Sequence, residues 1–256
     1  MIDLHTHILH GIDDGAETFE DAVAMCQLAA EDGTEVMVAT PHRFDGIHEN
    51  HPIGLLRERL SQIQEAVGDS IRLVLGCELH FTHAVVEQLC ETGEGWGIND
   101  GPYVLLELPP FSIPHGCEHA IYKLTSHGFR PIIAHPERNR TIQEKPESFY
   151  NLAELGLYAQ LDSASLFGKF GKEAQAAAKV LLKNNLIHAI SSDTHSPRRR
   201  RPGLSQAFAA ARDAVGEEHA RALVFDNPRA VVEGLPLPYV PDATSPRAKR
   251  SRWFDF

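Results

Sequence analysis

Cysteine is scarce in this chain, and the four present carry no motif. Cys26, Cys77, Cys90 and Cys117 form no Cys-x-x-Cys pair and no zinc-ribbon spacing. None has an arginine six positions downstream, which excludes the Cys-x5-Arg phosphate loop of thiol phosphatases. They read as reduced, mostly buried small hydrophobes. Long apolar runs are also lacking: nothing approaches the roughly 20 residues that cross a bilayer. The opening Met-Ile-Asp-Leu-His has no basic n-region of a secretory leader, so the expected compartment is the cytoplasm. Positive charge is in deficit, with 24 Lys and Arg against 35 Asp and Glu and a net charge of −11. Such a balance argues against gripping duplex nucleic acid through its phosphates.

What is present is an ordinary globular composition, 43% hydrophobic and 23% charged over 256 residues, with an unusual fifteen histidines. Apolar patterning predicts strands over 2–9, 35–40, 71–78, 103–108, 131–134, 157–161 and 187–191. Helical spacing predicts helices over 17–31, 55–67, 84–90, 115–127, 148–155, 173–183, 204–215, 218–224 and 228–233. Thr18 is placed to cap the first helix; 44–51 and 92–97 read as loops. Seven strands alternating with helices imply a parallel α/β barrel or a doubly wound sheet. Residues 236–256 are proline-rich, then basic through Arg247, Lys249, Arg250 and Arg252, and read as a poorly ordered tail.

The chemistry-bearing residues fall in register with those strands. His5 and His7 alternate on the first, so they project to one face with Cα atoms about 6–7 Å apart. His42, Glu78, Glu107, His135, Asp193 and His195 lie at or just past the C-terminal ends of later strands, the edge where parallel α/β folds assemble active sites. A histidine after a strand is often only a loop residue, and Asp193 could cap a helix. Glu107 inside Val-Leu-Leu-Glu-Leu-Pro is harder to dismiss, because an unpaired buried carboxylate costs several kcal/mol. Imidazole and carboxylate without thiolate suit Mn²⁺, Fe or Zn²⁺ better than a closed structural zinc. About nine candidate ligands are too many for one ion and suit two or three, an arrangement that activates water for phosphoryl or acyl hydrolysis.

His5-Thr6-His7, Thr40-Pro41-His42-Arg43, Glu78, Ala134-His135-Pro136-Glu137-Arg138 and Ser192-Asp193-Thr194-His195 together resemble the polymerase and histidinol phosphatase (PHP) superfamily. Asp13-Asp14-Gly15, Glu107 in Leu-Leu-Glu-Leu and Asp226-Asn227-Pro228-Arg229 bring the resemblance closest to the bacterial manganese-dependent tyrosine phosphatases of the CpsB/YwqE type. It extends over residues 1–235. It implies a distorted (β/α)7 barrel and a trinuclear site with Mn²⁺ foremost. His5, His7, Glu78 and Asp193 would hold the first metal. Glu78 would bridge to a second with Glu107 and His135, and Asp14, His42 and His195 would hold the third. Asp13 competes with Asp14 for that place. Much of the superfamily has a histidine where this chain has Glu107.

By the same resemblance Arg138 clamps phosphate, joined by an arginine that precedes a proline. Here Arg198-Arg199-Arg200-Arg201-Pro202 leaves that partner open between Arg200 and Arg201. Arg43 is a further candidate. His80 shares a strand face with Glu78 and reads as a supporting group. The implied reaction is hydrolysis of a phosphotyrosine monoester by a metal-bridging hydroxide, with the substrate, by analogy, the tail of a bacterial tyrosine kinase of polysaccharide export. Alternatives are a small-molecule phosphatase acting on a compound such as histidinol phosphate, a nuclease of the superfamily, and a metal-binding regulatory protein without turnover.

Overall fold

In a computed structural model, which describes residues 1–92 and 96–246, every strand pairing is parallel. The strands are β1 (Ile2–Thr6), β2 (Val36–Ala39), β3 (His42–Arg43), β4 (Arg72–Leu75), β5 (Glu78–His80), β6 (Tyr103–Glu107), β7 (Arg130–Ala134), β8 (Tyr158–Asp162) and β9 (Ala189–Ser191). They form a sheet of order β1-β2-β4 and another of order β3-β5-β6-β7-β8-β9. The helices are α1 (Phe19–Glu31), α2 (Ile53–Val67), α3 (His83–Thr92), α4 (Cys117–Ser126), α5 (Arg140–Glu144), α6 (Pro146–Ala153), α7 (Lys172–Lys183), α8 (Ser205–Val215), α9 (Glu217–Arg221) and α10 (Asn227–Glu233).

Seven expected strands become nine because the second and third each stop and then resume, as β3 and β5, at or beyond their expected ends of 40 and 78. Pro41 has no N–H to give the ladder, and β2 ends just before it, at Ala39. At Gly76, just past β4, an added Cβ would sit 3.2 Å from both Val38 Cγ1 and Ile98 Cγ1, a tight fit that those side chains would have to give way to. Single hydrogen bonds span the breaks, from Gly76 N to Ala39 O (2.8 Å) and from Glu78 N to Pro41 O (3.1 Å). Beyond them His42 stands opposite Glu78, and His80 opposite Glu107. The breaks therefore set the register of the ligand candidates. At the other side of the sheets, Thr6 bridges to Thr194, with Asp193 N donating to His5 O (3.0 Å) and His7 N to Thr194 O (2.9 Å).

Strand alternation divides the core. Val104, Leu106, Ile133, Leu161 and Ile190 pack outward under the helices, while Leu4, Val38, Val74, Tyr103, Leu105 and Ile132 form a smaller inner cluster with Val231 and Val232 of α10. Glu107 continues the inward parity of Tyr103 and Leu105, which explains a carboxylate in an apolar strand. Thr18 caps α1, accepting from Asp21 N at 3.2 Å. The expected helix 218–224 is α9 running through a π-helical turn (Ala222–Asp226) into α10.

The proline-rich stretch does not trail away as expected. Asn227 pairs with the Tyr239 backbone in both directions, donating to its O (2.8 Å) and accepting from its N (3.1 Å), and Thr244 N donates to Asn184 O (2.9 Å). The basic run from Arg247 and part of the 92–97 loop lie outside the described residues. Among the described residues no helix is long and apolar enough to cross a membrane.

Candidate metal centre

Four side chains from three strand ends deliver one atom each to a single point. His5 Nε2 lies 3.1 Å from His7 Nε2, 3.1 Å from Glu78 Oε2 and 3.4 Å from Asp193 Oδ1. His7 Nε2 is 3.4 Å from both of those oxygens. All four side chains are buried, yet among the described residues Glu78 Oε2 and Asp193 Oδ1 have no hydrogen-bond partner. Two imidazole nitrogens and two carboxylate oxygens converging on one buried point make the donor set that a divalent cation takes. The residues present therefore fit a metal ion.

Two further groupings adjoin this one. Glu78 Oε1 is 2.9 Å from His135 Nε2, which is 3.9 Å from Glu107 Oε1. Asp14 Oδ1 lies 3.2 Å from His195 Nε2 and 3.6 Å from His42 Nε2, and His7 borders the same group. His42 Nδ1 in turn is 3.1 Å from Glu78 Oε2, so Glu78 stands where all three groupings meet. All nine ligand candidates from the sequence are brought together.

Asp13 is not in the cluster but behind it. Its carboxylate takes His7 Nδ1 at 2.8 Å, His42 N at 3.0 Å and Gly15 N at 3.0 Å, so it orients one candidate ligand and places a second. The turn needs Gly15, since a Cβ there would meet His7 O at 2.1 Å. Gln160 Oε1 pairs with His5 Nδ1 at 3.0 Å, leaving Nε2 to face the cluster. His80 supports Glu107 at 3.4 Å, as its place on the strand suggests, and His48 stacks on His42 with ring centroids 5.3 Å apart.

The arginines separate cleanly. Arg138 Nη1 donates to Asp193 Oδ2 at 2.6 Å, and Arg200 Nη2 donates to the same oxygen. Arg201 is exposed and makes no ion pair among the described residues. Arg43 is turned away from the cluster, contrary to expectation. On a strand whose His42 faces the site its neighbour faces the other side, where Arg43 packs over Phe44 and Trp96 and donates to His51 O at 2.7 Å. Gln160 and two further residues escaped the sequence reading. Asp162, fully buried at the end of β8, lies 3.6 Å from Arg138. Phe170 puts its ring 4.4 Å from the Arg138 guanidinium and 5.6 Å from that of Arg200. Asp162 carried the signal used for the others, a carboxylate just past a predicted strand; Phe170 carried none.

Charge follows this geometry. Burial alone would lower the His5 imidazole, but Glu78 and Asp193 push it up to about 9 in the metal-free protein. Burial and the neighbouring Asp193 raise Asp162 well above the carboxylate range. Burial pushes the thiols of Cys26, Cys77 and Cys117 up to about 12, which removes them as nucleophiles.

Comparison with known proteins gives relatives over most of the chain. Tyrosine-protein phosphatase YwqE of Bacillus subtilis is 37% identical over 203 residues, covering 78% of this chain and 79% of that protein. Tyrosine-protein phosphatase CpsB of Streptococcus pneumoniae is 29% identical over 240 residues, 91% of this chain and 98% of that one. A crystal structure from work on YwqE and CpsB, described as unique metal-dependent tyrosine phosphatases, matches with a TM-score of 0.88 at 33% identity, over 95% of this chain and 99% of that one. The family described as capsular polysaccharide synthesis, CpsB/CapC, matches residues 1–233, and the chain belongs to it.

Proposed function

We propose that this chain is a metal-dependent protein-tyrosine phosphatase that hydrolyses phosphotyrosine monoesters. The observation that carries the reading is the buried meeting point of His5, His7, Glu78 and Asp193, with two unpartnered carboxylate oxygens, directly beside Arg138 and Arg200. In this reading the first ion is held by His5, His7, Glu78 and Asp193, the second by Glu78, Glu107 and His135, and the third by Asp14, His42 and His195. Two or three ions are held, Mn²⁺ foremost, with Fe or Zn²⁺ as substitutes. We read the two adjoining sheets as arcs of one distorted seven-stranded barrel, with residues 1–235 as the catalytic unit.

Divalent ions held by these residues would supply Lewis acidity and would lower the pKa of water toward neutrality. The protein's own groups do the rest. Asp13 and Gln160 hold the His7 and His5 rings in the orientation that turns Nε2 inward. Arg138 and Arg200 share Asp193 Oδ2, which leaves donors of both planar forks for phosphoryl oxygens. Phe170 backs both guanidinium planes and shields them from water. A phenolate of pKa about 10 is a good leaving group, so the reaction makes little demand on a general acid. The family's place in capsular polysaccharide synthesis supports a cytoplasmic encounter with the tail of a tyrosine kinase of polysaccharide export.

His135→Ala and Asp193→Ala test the reading. Each should bind fewer ions and lose at least about 100-fold in p-nitrophenyl phosphate and phosphotyrosyl-peptide turnover. Full activity of both variants, or faster turnover of histidinol phosphate than of the peptide, would overturn it.

A further inference from the structure

The 196–201 loop presents positive charge that the site does not consume. Arg198, Arg199 and Arg201 are exposed and, with exposed Lys169, make no ion pair among the described residues, although the chain as a whole carries −11. Clustering like charges without counter-ions is unfavourable, so the arrangement calls for a partner that neutralises it.

The loop is also firmly built. Arg200 O accepts from Thr194 Oγ1 (2.6 Å), His195 N (3.1 Å) and Ser196 N (3.2 Å). Ser196 Oγ accepts from Arg199 N (2.9 Å) and Arg198 N (3.4 Å). These backbone bonds fold the four arginines back against the strand end that bears Asp193 and His195. Phe170, packed on Arg138 and Arg200, fastens its neighbour Lys169 to the same rim. The carboxylate beside the end of the loop, Asp32, is occupied by Leu204 N (2.6 Å) and Ser205 N (2.9 Å), so it leaves the guanidinium groups uncompensated.

We infer that Arg198, Arg199 and Lys169 form a docking rim for acidic residues flanking the phosphotyrosine, so that the preferred substrate is an acidic phosphotyrosyl segment. The inference rests on the phosphatase reading above and adds its substrate class. Charges within the screening length of about 10 Å at 0.1 M salt steer and hold such a segment, and salt weakens them.

The test compares two peptides sharing one phosphotyrosine, flanked by Asp and Glu in one and by Asn and Gln in the other. p-Nitrophenyl phosphate serves as a substrate without flanks, and the protein is wild-type, Arg198→Gln/Arg199→Gln, or Lys169→Gln. The substitutions keep the backbone bonds to Ser196. Wild-type should prefer the acidic peptide by about tenfold in kcat/KM at low salt and lose that preference in 1 M NaCl. The double variant should lose most of the preference through KM, with p-nitrophenyl phosphate turnover within about twofold of wild-type, and Lys169→Gln should lose part of it. Equal kcat/KM for the two peptides in wild-type would overturn the inference while leaving the phosphatase intact. So would unchanged peptide preference in the double variant accompanied by loss of binding to phosphatidylserine vesicles. Failure of wild-type to turn over p-nitrophenyl phosphate with Mn²⁺ would instead overturn the phosphatase reading.

Discussion

At Glu78 both carboxylate oxygens face imidazoles, Oε1 at 2.9 Å from His135 and Oε2 at 3.1 Å from His5 and His42. Glu78→Gln keeps the shape and removes the charge that stands against His5, His7, His42 and His135. It should lower the bound metal count and cut turnover by at least about 100-fold, read by elemental analysis alongside kinetics. Asp13→Asn leaves every candidate ligand in place and removes only their support, so metal affinity should fall about 10–100-fold in a competition titration. Far from the site, burial lowers the His188 imidazole to about 4. The unfolded chain binds a proton there from about pH 6.5 downward while the folded chain excludes it. Folded-state stability that is complete above pH 6.5 is therefore lost as the pH falls toward 4, by up to about 3 kcal/mol. Urea unfolding of wild-type and His188→Gln across that window should show the slope in wild-type and a shallower one in the variant. Eight of the nine ligand candidates stood out in the sequence as metal-capable residues at or just past strand ends, and Asp14, in the turn after β1, came only from the family resemblance. The division of labour between Asp13 and Asp14, or Arg200 and Arg201, was not legible, since it depends on which way one turn and one loop fold.

Among the elements, the two strand breaks matter most. Apolar patterning located seven strands but missed β3 and all of β5 except Glu78, which resume pairing past Pro41 and Gly76, because hydrogen-bond register leaves no trace in hydropathy. The same limit hid the docking of residues 235–246, whose attachment runs through backbone groups paired with Asn184, Asn185 and Asn227. By contrast the Thr18 cap was readable from residue type and position. Thr18→Ala should cost about 1 kcal/mol of stability in urea unfolding without affecting turnover. Gly15→Ala should do the opposite kind of damage. Its Cβ would press on His7 O, so the Asp13–Asp14 turn must shift, and metal retention should fall at least about tenfold.

Over the whole molecule, strand ends from both sheets converge on one buried cluster of imidazoles and carboxylates, and the apolar inner core with α10 fills the opposite end of the strands. Without cations this cluster holds buried carboxylate oxygens lacking partners, a cost that ion binding removes. The most direct measurement is therefore phosphotyrosyl-peptide hydrolysis by one preparation as isolated, after complete metal removal verified by elemental analysis, and after adding back Mn²⁺. Expected are two or three ions per active chain, turnover lost on stripping, and turnover restored in proportion to ions rebound. Hydrolysis that survives complete stripping would contradict a metal-dependent phosphatase built on His5, His7, Glu78 and Asp193.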